Sequence, residues 1–110
     1  MITAIFFKDS SSVIRGFSLT GHAEYGEYGS DIVCAAVSAL SVNTANSIEE
    51  FTDDPITVNV TDSGLLTLRF DGEISDYSKL FIKSLVLGLE NIAKDYNSDK
   101  TYLQILFKEV

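Results

Sequence analysis

The sequence predicts an α+β fold in which a mixed or antiparallel sheet packs with two main helices. Three observations support this class. Short segments of alternating polarity come in pairs, polar turn residues join the pairs, and two longer segments have the helical period, giving the order ββαββαβ. With 110 residues, 45% of them hydrophobic and a single proline, one globular domain is predicted over residues 1–110.

The first hairpin is predicted from two segments near the start of the chain. Residues 2–7 are aromatic and β-branched, residues 8–12 are polar and suited to a turn, and residues 13–20 alternate in polarity. The next segment, 21–30, contains three glycines and two tyrosines. Glycine at that density leaves a backbone mobile or strained, which predicts a long functional loop.

The first helix is predicted over residues 31–51. Apolar residues recur there at helical spacing, and either Ser30 or Asp31 has a side chain that can cap the first turn. Many serine, threonine and asparagine residues lower the helix propensity, so burial must stabilise this helix. The predicted buried face consists of Val33, Val37, Leu40, Thr44, Ile48 and Phe51.

The second hairpin follows the first helix. Residues 56–60 and 66–70 alternate in polarity, and Asp62, Ser63 and Gly64 supply a turn between them. One face of this hairpin is therefore expected to contact solvent.

The second helix is predicted over residues 75–96 with Ser75 as its N-cap, and a last strand over residues 102–107. This helix is apolar on more than one side, and a chain of 110 residues can hardly cover all of it. Self-association is the expected consequence. The main stripe contains Tyr77, Phe81, Leu85, Leu89, Ile92 and Tyr96, and outside it lie Leu80, Ile82, Val86 and Leu87.

Charge and composition exclude several classes of function. The formal net charge of −8 repels phosphate backbones, so no direct nucleic-acid binding is expected. No apolar run approaches the roughly 20 residues of a membrane span and no targeting segment is recognisable, which predicts a cytoplasmic protein without membrane contact. The chain has one cysteine and one histidine, so neither an internal disulfide, a metal site nor a cofactor is expected.

The single histidine and the single cysteine flank the glycine-rich loop. His22 is predicted at a strand end and Cys34 in the first turn of a helix, where unpaired N–H groups and the helix dipole stabilise a thiolate and could form an oxyanion hole. His22 would then take the thiol proton and return it to a leaving amine. In the alternative interpretation, Cys34 is an inert core thiol and His22 is structural or solvated.

Four neighbouring side chains are candidate supporting groups. Asp31 either caps the helix, where its charge would raise the thiol pKa, or orients His22; capping is favoured, with a contact to the histidine left open. Ser38, one helical turn further on, would bond either within the site or to its own backbone. Tyr25 and Tyr28 either line a pocket, fold over it as a lid, or are simply exposed.

The sequence resembles the ribosomal-processing cysteine protease family Prp at two motifs, and its length and order of elements extend the resemblance to the whole chain. The motifs are Gly21-His22-Ala23 with Gly29, and Asp31-Ile32-Val33-Cys34-Ala35-Ala36-Val37-Ser38. The resemblance implies a catalytic dyad of His22 and Cys34 with support from Asp31 and Ser38. The loop or substrate-binding residues would be Gly21, Tyr25, Gly26, Tyr28 and Gly29.

The resemblance also implies a homodimeric endopeptidase. Its substrate would be the precursor of large-subunit ribosomal protein number twenty-seven, cleaved after an aromatic pair to remove an N-terminal extension. An apolar slot for that pair could be lined by Tyr25, Tyr28 or residues near Leu40, and the acidic chain suits a basic substrate. The alternative class is a noncatalytic dimeric module that binds the ribosome or an assembly factor, with a structural Cys34.

Overall fold

The computed structural model describes residues 1–26, 31–61 and 64–110. The predicted α+β class and the order ββαββαβ are confirmed, and the element bounds differ from the predicted ones only at their ends. The predicted turn residues Asp62 and Ser63 lie outside the described residues. The elements are β1 (Ile2–Lys8), β2 (Ile14–Gly21), α1 (Ile32–Phe51), β3 (Ile56–Val60), β4 (Leu66–Phe70), α2 (Asp76–Tyr96) and β5 (Leu103–Glu109).

The five strands form one mixed sheet in the order β3-β4-β2-β1-β5. β1 runs antiparallel to β2 and parallel to β5, so that Ile2 lies between Gly21 on one side and Leu103 on the other. The end of β2, the start of β1 and the start of β5 therefore lie at the same end of the strands. Residues that continue from β2 leave the sheet there, and they include the predicted site.

The core lies between one face of the sheet and the two helices. Alternate residues of β1, namely Ile2, Ala4 and Phe6, are fully buried, as the period of a half-covered strand requires. The buried residues of α1 include Val33, Val37, Ser41, Thr44, Ala45 and Ile48. Two of the small polar residues predicted to weaken α1, Ser41 and Thr44, thus lie in its buried face, in agreement with a helix stabilised by burial.

The predicted apolar stripe of α2 is partly wrong. Leu85 and Leu89 of this stripe are buried, and Phe81, Ile92 and Tyr96 pack half-buried against the core. Tyr77, at the start of the stripe, is instead 68% exposed, whereas Ile82, predicted outside the stripe, is buried beside Ser78. The buried face therefore overlaps the predicted stripe but is rotated from it towards Ile82.

Phe51 at the end of α1 is another exception to its predicted burial. It is largely exposed and packs its ring 6.2 Å from that of Phe81. Leu80 and Leu87 of α2 also remain exposed, at 63% and 60%. Neither α1 nor α2, the helices among the described residues, is long and apolar enough to cross a membrane.

Candidate active site

The backbone turns sharply where β2 ends. Gly21 has a φ of +92°, a conformation that side chains disfavour, and a Cβ placed there would overlap the carbonyl oxygen of Met1. His22 follows and is exposed, whereas Ala23 is fully buried. The chain thus returns to the protein interior directly after the histidine.

Cys34 lies in the first turn of α1 and is partly buried. The backbone N–H of Ala23 donates a hydrogen bond to Sγ of Cys34 over 3.3 Å. The two segments that flank the glycine-rich stretch in sequence therefore meet in space, and His22 is the residue immediately before the contact.

Asp31 is the N-cap of α1, as favoured from the sequence. Its Oδ1 accepts the N–H groups of Val33 at 3.0 Å and Cys34 at 3.1 Å. Its Oδ2 accepts the N–H of Tyr25 at 2.9 Å. One buried carboxylate thereby links the backbone after β2 to the first turn of the helix.

The surroundings shift the pKa of both ionisable groups at the start of α1. Burial alone would raise the pKa of Asp31, but hydrogen bonds from the backbone at Cys34, Tyr25, Val33 and Gly26 outweigh it and lower that pKa. Burial raises the pKa of the Cys34 thiol, and the Asp31 carboxylate raises it further, while the bond from Ala23 acts in the opposite direction. The two shifts thus favour an ionised carboxylate at Asp31 and a protonated thiol at Cys34.

Ser38 is engaged outside its own helix. Its hydroxyl donates to the carbonyl oxygen of Gly64 at 3.1 Å, in the connection between β3 and β4. This corrects the expectation that Ser38 would bond to its own backbone or directly in the site. The bond ties a turn of the second hairpin to α1 one helical turn beyond the cysteine.

Tyr25 packs against two other tyrosines. Its ring lies edge-on to Tyr96 at the end of α2, with centroids 5.4 Å apart, and edge-on to Tyr102 before β5, at 5.0 Å. The start of the loop is therefore anchored to the body of the protein. The next residue, Gly26, is exposed, whereas Tyr28, Gly29 and the alternative cap Ser30 lie outside the described residues.

Leu40 occupies the interface between the helices. A Cβ added to Gly88 would lie 2.7 Å from Cδ1 of Leu40, so the leucine fills the space that the glycine leaves open. Its side chain packs against α2, and the predicted apolar slot near Leu40 stays a prediction.

Four contacts at this site were not predicted from the sequence. They are the hydrogen bond from the N–H of Ala23 to the sulfur, the hydrogen bond from Ser38 to the carbonyl of Gly64, and the contacts of Tyr25 with two other tyrosines. A backbone N–H or C=O is present at almost every residue, so its use is set by chain geometry. The motif Gly21-His22-Ala23 indicated only that this segment belongs to the site, and it did not indicate the bond to the sulfur.

A partly buried thiol at the start of a helix, contacted by the backbone beside the single histidine, defines a candidate cysteine hydrolase site. The sequence matches the family profile described as cysteine protease Prp over residues 1–101. Ribosomal processing cysteine protease Prp of Staphylococcus aureus is 30% identical over 100 residues, which cover 90% of this chain and 94% of that protein. The Bacillus subtilis protein of the same name is 30% identical over 104 residues, covering 90% and 93%.

Solved structures give the same result. The crystal structure of the Staphylococcus aureus protease Prp with a covalently linked product peptide is similar at a TM-score of 0.88 and 28% identity, covering 98% of this chain and all of that one. The chain belongs to the Prp family of cysteine proteases. The enzyme interpretation is therefore favoured over the noncatalytic module.

Proposed function

We propose that this protease removes an N-terminal extension from the precursor of large-subunit ribosomal protein number twenty-seven, cleaving after a pair of aromatic residues. The relatives are named ribosomal processing proteases, and one has been solved with a substrate peptide. The observation that carries the catalytic part of the proposal is the contact between the backbone after His22 and the sulfur of Cys34.

The proposed mechanism uses Cys34 as the nucleophile and His22 as the proton carrier. Sγ forms a bond to the carbonyl carbon of the scissile peptide while the thiol proton moves to the imidazole of His22. The imidazolium then protonates the leaving amine as the C–N bond breaks. Water, activated by the same imidazole, hydrolyses the thioester and restores the thiol. The covalently linked product peptide of the Staphylococcus aureus relative supports a covalent route.

Asp31 and Ser38 act as supporting residues in this proposal. Asp31 holds both the first turn of α1 and the N–H of Tyr25, so it fixes the entry to the loop relative to the nucleophile. Ser38 fixes the second hairpin against the same helix. The proposed loop or substrate-binding residues are Gly21, Tyr25, Gly26, Tyr28 and Gly29, because glycine lets a peptide approach the backbone closely and tyrosine is an aromatic partner for the substrate pair.

The working form in this proposal is a cytoplasmic homodimer. The exposed side chains of Tyr77, Leu80 and Leu87 share one side of α2, and a second copy would cover them. Lysine at both Leu80 and Leu87 should shift sedimentation from about twice the chain mass towards one chain. Lysine at Val60, which is 65% exposed on the edge strand β3, is the matched control and should leave the mass unchanged. A wild-type protein that sediments as a single chain at micromolar concentration contradicts the dimer.

Cleavage of the purified precursor tests the catalytic assignment. Cys34→Ala and His22→Ala should each abolish cleavage while the melting temperature stays nearly unchanged, because the histidine is exposed and the cysteine side chain is small. A precursor with alanines in place of the aromatic pair is the substrate control and should remain uncut by the wild type. Full cleavage by Cys34→Ala would disprove the mechanism.

A further inference from the structure

Three consecutive N–H groups in the first turn of α1, those of residues 33, 34 and 35, are already hydrogen-bonded to Asp31. The N–H groups of Val33 and Cys34 both donate to Oδ1 of Asp31, and that of Ala35 donates to the Asp31 carbonyl oxygen at 3.0 Å. The sequence suggested that such groups would stabilise the thiolate and form an oxyanion hole. In the structure the carboxylate of the N-cap takes up two of them, so these donors do not face the sulfur.

A different N–H does contact the sulfur. That of Ala23 arrives from the end of β2 and donates to Sγ of Cys34 over 3.3 Å, and Ala23 is fully buried. A hydrogen bond to an ionised acceptor is roughly twice as strong as one to a neutral acceptor, and burial strengthens it further. This contact therefore favours the thiolate over the thiol.

The backbone around Ala23 is shaped by two unusual residues. Gly21 has a φ of +92° and Glu24 a φ of +59°, so left-handed conformations bracket the two residues between them. Such a conformation at a residue with a side chain persists only where the surroundings impose it. The bond from the N–H of Tyr25 to Oδ2 of Asp31 holds the far end of this short segment.

We infer that the Ala23 N–H is a catalytic group of this protease, the hydrogen-bond donor that stabilises the negative charge on the Cys34 sulfur in place of the N-terminus of α1. The inference rests on the proposed function, in which the sulfur of Cys34 becomes negatively charged as its proton moves to His22. Where the N–H groups of a helix N-terminus are free, they stabilise a thiolate. In this protein the inference gives that role to the N–H group that follows β2. Asp31 then acts as a positioning residue, because it keeps the helix donors occupied and the strand end in place.

An amide-to-ester replacement tests the inference without changing any side chain. Lactic acid in place of Ala23 removes this one N–H, and the pH profile of alkylation by iodoacetamide then reports the pKa of Cys34, the only thiol in the chain. The sulfur gains the acetamide carbon, iodide leaves, and the thiol proton goes to solvent. The ester should raise the pKa by about one unit, which lowers the alkylation rate at neutral pH about tenfold.

The matched control is the same replacement at Tyr25, whose N–H donates to Asp31 and not to the sulfur. It should move the thiol pKa much less than the replacement at Ala23. An unchanged profile for the Ala23 ester, or equal shifts for the two esters, would overturn the inference. If the wild type fails to cleave the precursor but the Ala23 ester shifts the profile as expected, the proposed substrate is wrong and the bond to the sulfur stands.

A measurement on the unmodified backbone covers the case in which the ester does not fold. The amide proton resonance of Ala23 should move downfield as Cys34 ionises, with an inflection at the thiol pKa, and this movement should be absent in Cys34→Ala. An Ala23 resonance that does not follow the ionisation of the thiol would also overturn the inference.

Discussion

Asp31 and Cys34 are bound to each other in a way that has opposite effects on fold and on chemistry. The carboxylate accepts the N–H of Cys34 at 3.1 Å and caps the helix that carries the nucleophile. The same negative charge raises the pKa of the Cys34 thiol. Stability of the first turn and acidity of the thiol are therefore coupled through one side chain, and substitutions can separate the two effects.

The first prediction concerns Asp31→Asn and Asp31→Ala. Asparagine keeps an oxygen for the N–H groups of Val33 and Cys34, but it removes the charge and the oxygen that accepts the N–H of Tyr25. Because the charge is gone, the thiol pKa should fall and alkylation at neutral pH should become about threefold to tenfold faster. Alanine removes the cap as well and should lower the free energy of unfolding by about 1 to 2 kcal/mol in urea titrations.

The cleavage assay completes this test. Asp31→Ala should give a slower enzyme that still cleaves, because the nucleophile and the histidine remain. A loss of cleavage as complete as that of His22→Ala would make Asp31 a member of the catalytic group. Slower alkylation of Asp31→Asn than of the wild type would contradict the electrostatic argument.

The second prediction is that acid destabilises the fold through two carboxylates. Burial would raise the pKa of Asp54, but hydrogen bonds outweigh it and lower that pKa; Oδ2 accepts the N–H of Ser75 at 2.9 Å and its hydroxyl at 2.7 Å. Asp31 has a lowered pKa for similar reasons. As the pH is lowered, these carboxylates take up protons first in the unfolded chain, at about pH 4. The free energy of unfolding should therefore be highest above that pH and decrease below it.

Urea unfolding between pH 7 and pH 3 checks this expectation. Asp54→Asn should start from a lower free energy of unfolding and lose less of it as the pH falls. The reason is that it lacks one of the two carboxylates whose protonation favours the unfolded chain. Asp53→Asn, an exposed neighbour with the same change in charge, is the control. Equal acid slopes for the wild type and Asp54→Asn would show that this carboxylate has no such linkage.

The third prediction compares two glycines with positive φ. Alanine at Gly64 meets only the backbone cost of φ +85°, about 1 to 2 kcal/mol, since its Cβ would lie 3.5 Å from Oγ of Ser38. Alanine at Gly21 meets a similar cost and also overlaps the carbonyl oxygen of Met1, so about 2 to 4 kcal/mol is expected. Denaturant unfolding measures both losses.

The two glycine variants should also differ in chemistry. The shift forced at Gly21 moves the segment that carries His22 and Ala23, so cleavage should fall well beyond the loss of folded protein. Gly64→Ala should cleave in proportion to its folded fraction. The argument fails if the two variants lose cleavage equally at equal folded fraction.

The order of elements could be predicted because alternation and helical spacing are local properties of the sequence. The orientation of α2 could be predicted only in part: the stripe through Leu85 and Leu89 is buried, but the spacing does not show that Ile82 rather than Tyr77 completes the buried face, because packing against the sheet decides it. Packing depends on where the strands lie, and neither period encodes that arrangement.

The candidate site could likewise be predicted only in part. His22, Cys34 and the cap Asp31 were identified from side-chain chemistry and from their positions at element ends. The role of Ala23 was not, because it depends on a backbone N–H whose direction is set by the φ of Gly21 and of Glu24. The sequence pointed to a helix terminus as the anion site and also to Asp31 as the cap that accepts the N–H of Cys34. It did not show which N–H would then contact the sulfur.

The last prediction concerns the net charge of −8. A basic ribosomal substrate should be attracted to this surface. Salt weakens such attraction, because the screening length falls from about 10 Å at 0.1 M to about 3 Å at 1 M. The value of kcat/KM for the precursor should therefore fall as sodium chloride rises across this range. A short neutral peptide with the same cleavage sequence is the control, and its kcat/KM should change little, because it carries no charge to be attracted. Equal salt dependence of the two substrates would place the effect in the enzyme itself, and a precursor rate that is independent of salt would contradict electrostatic attraction.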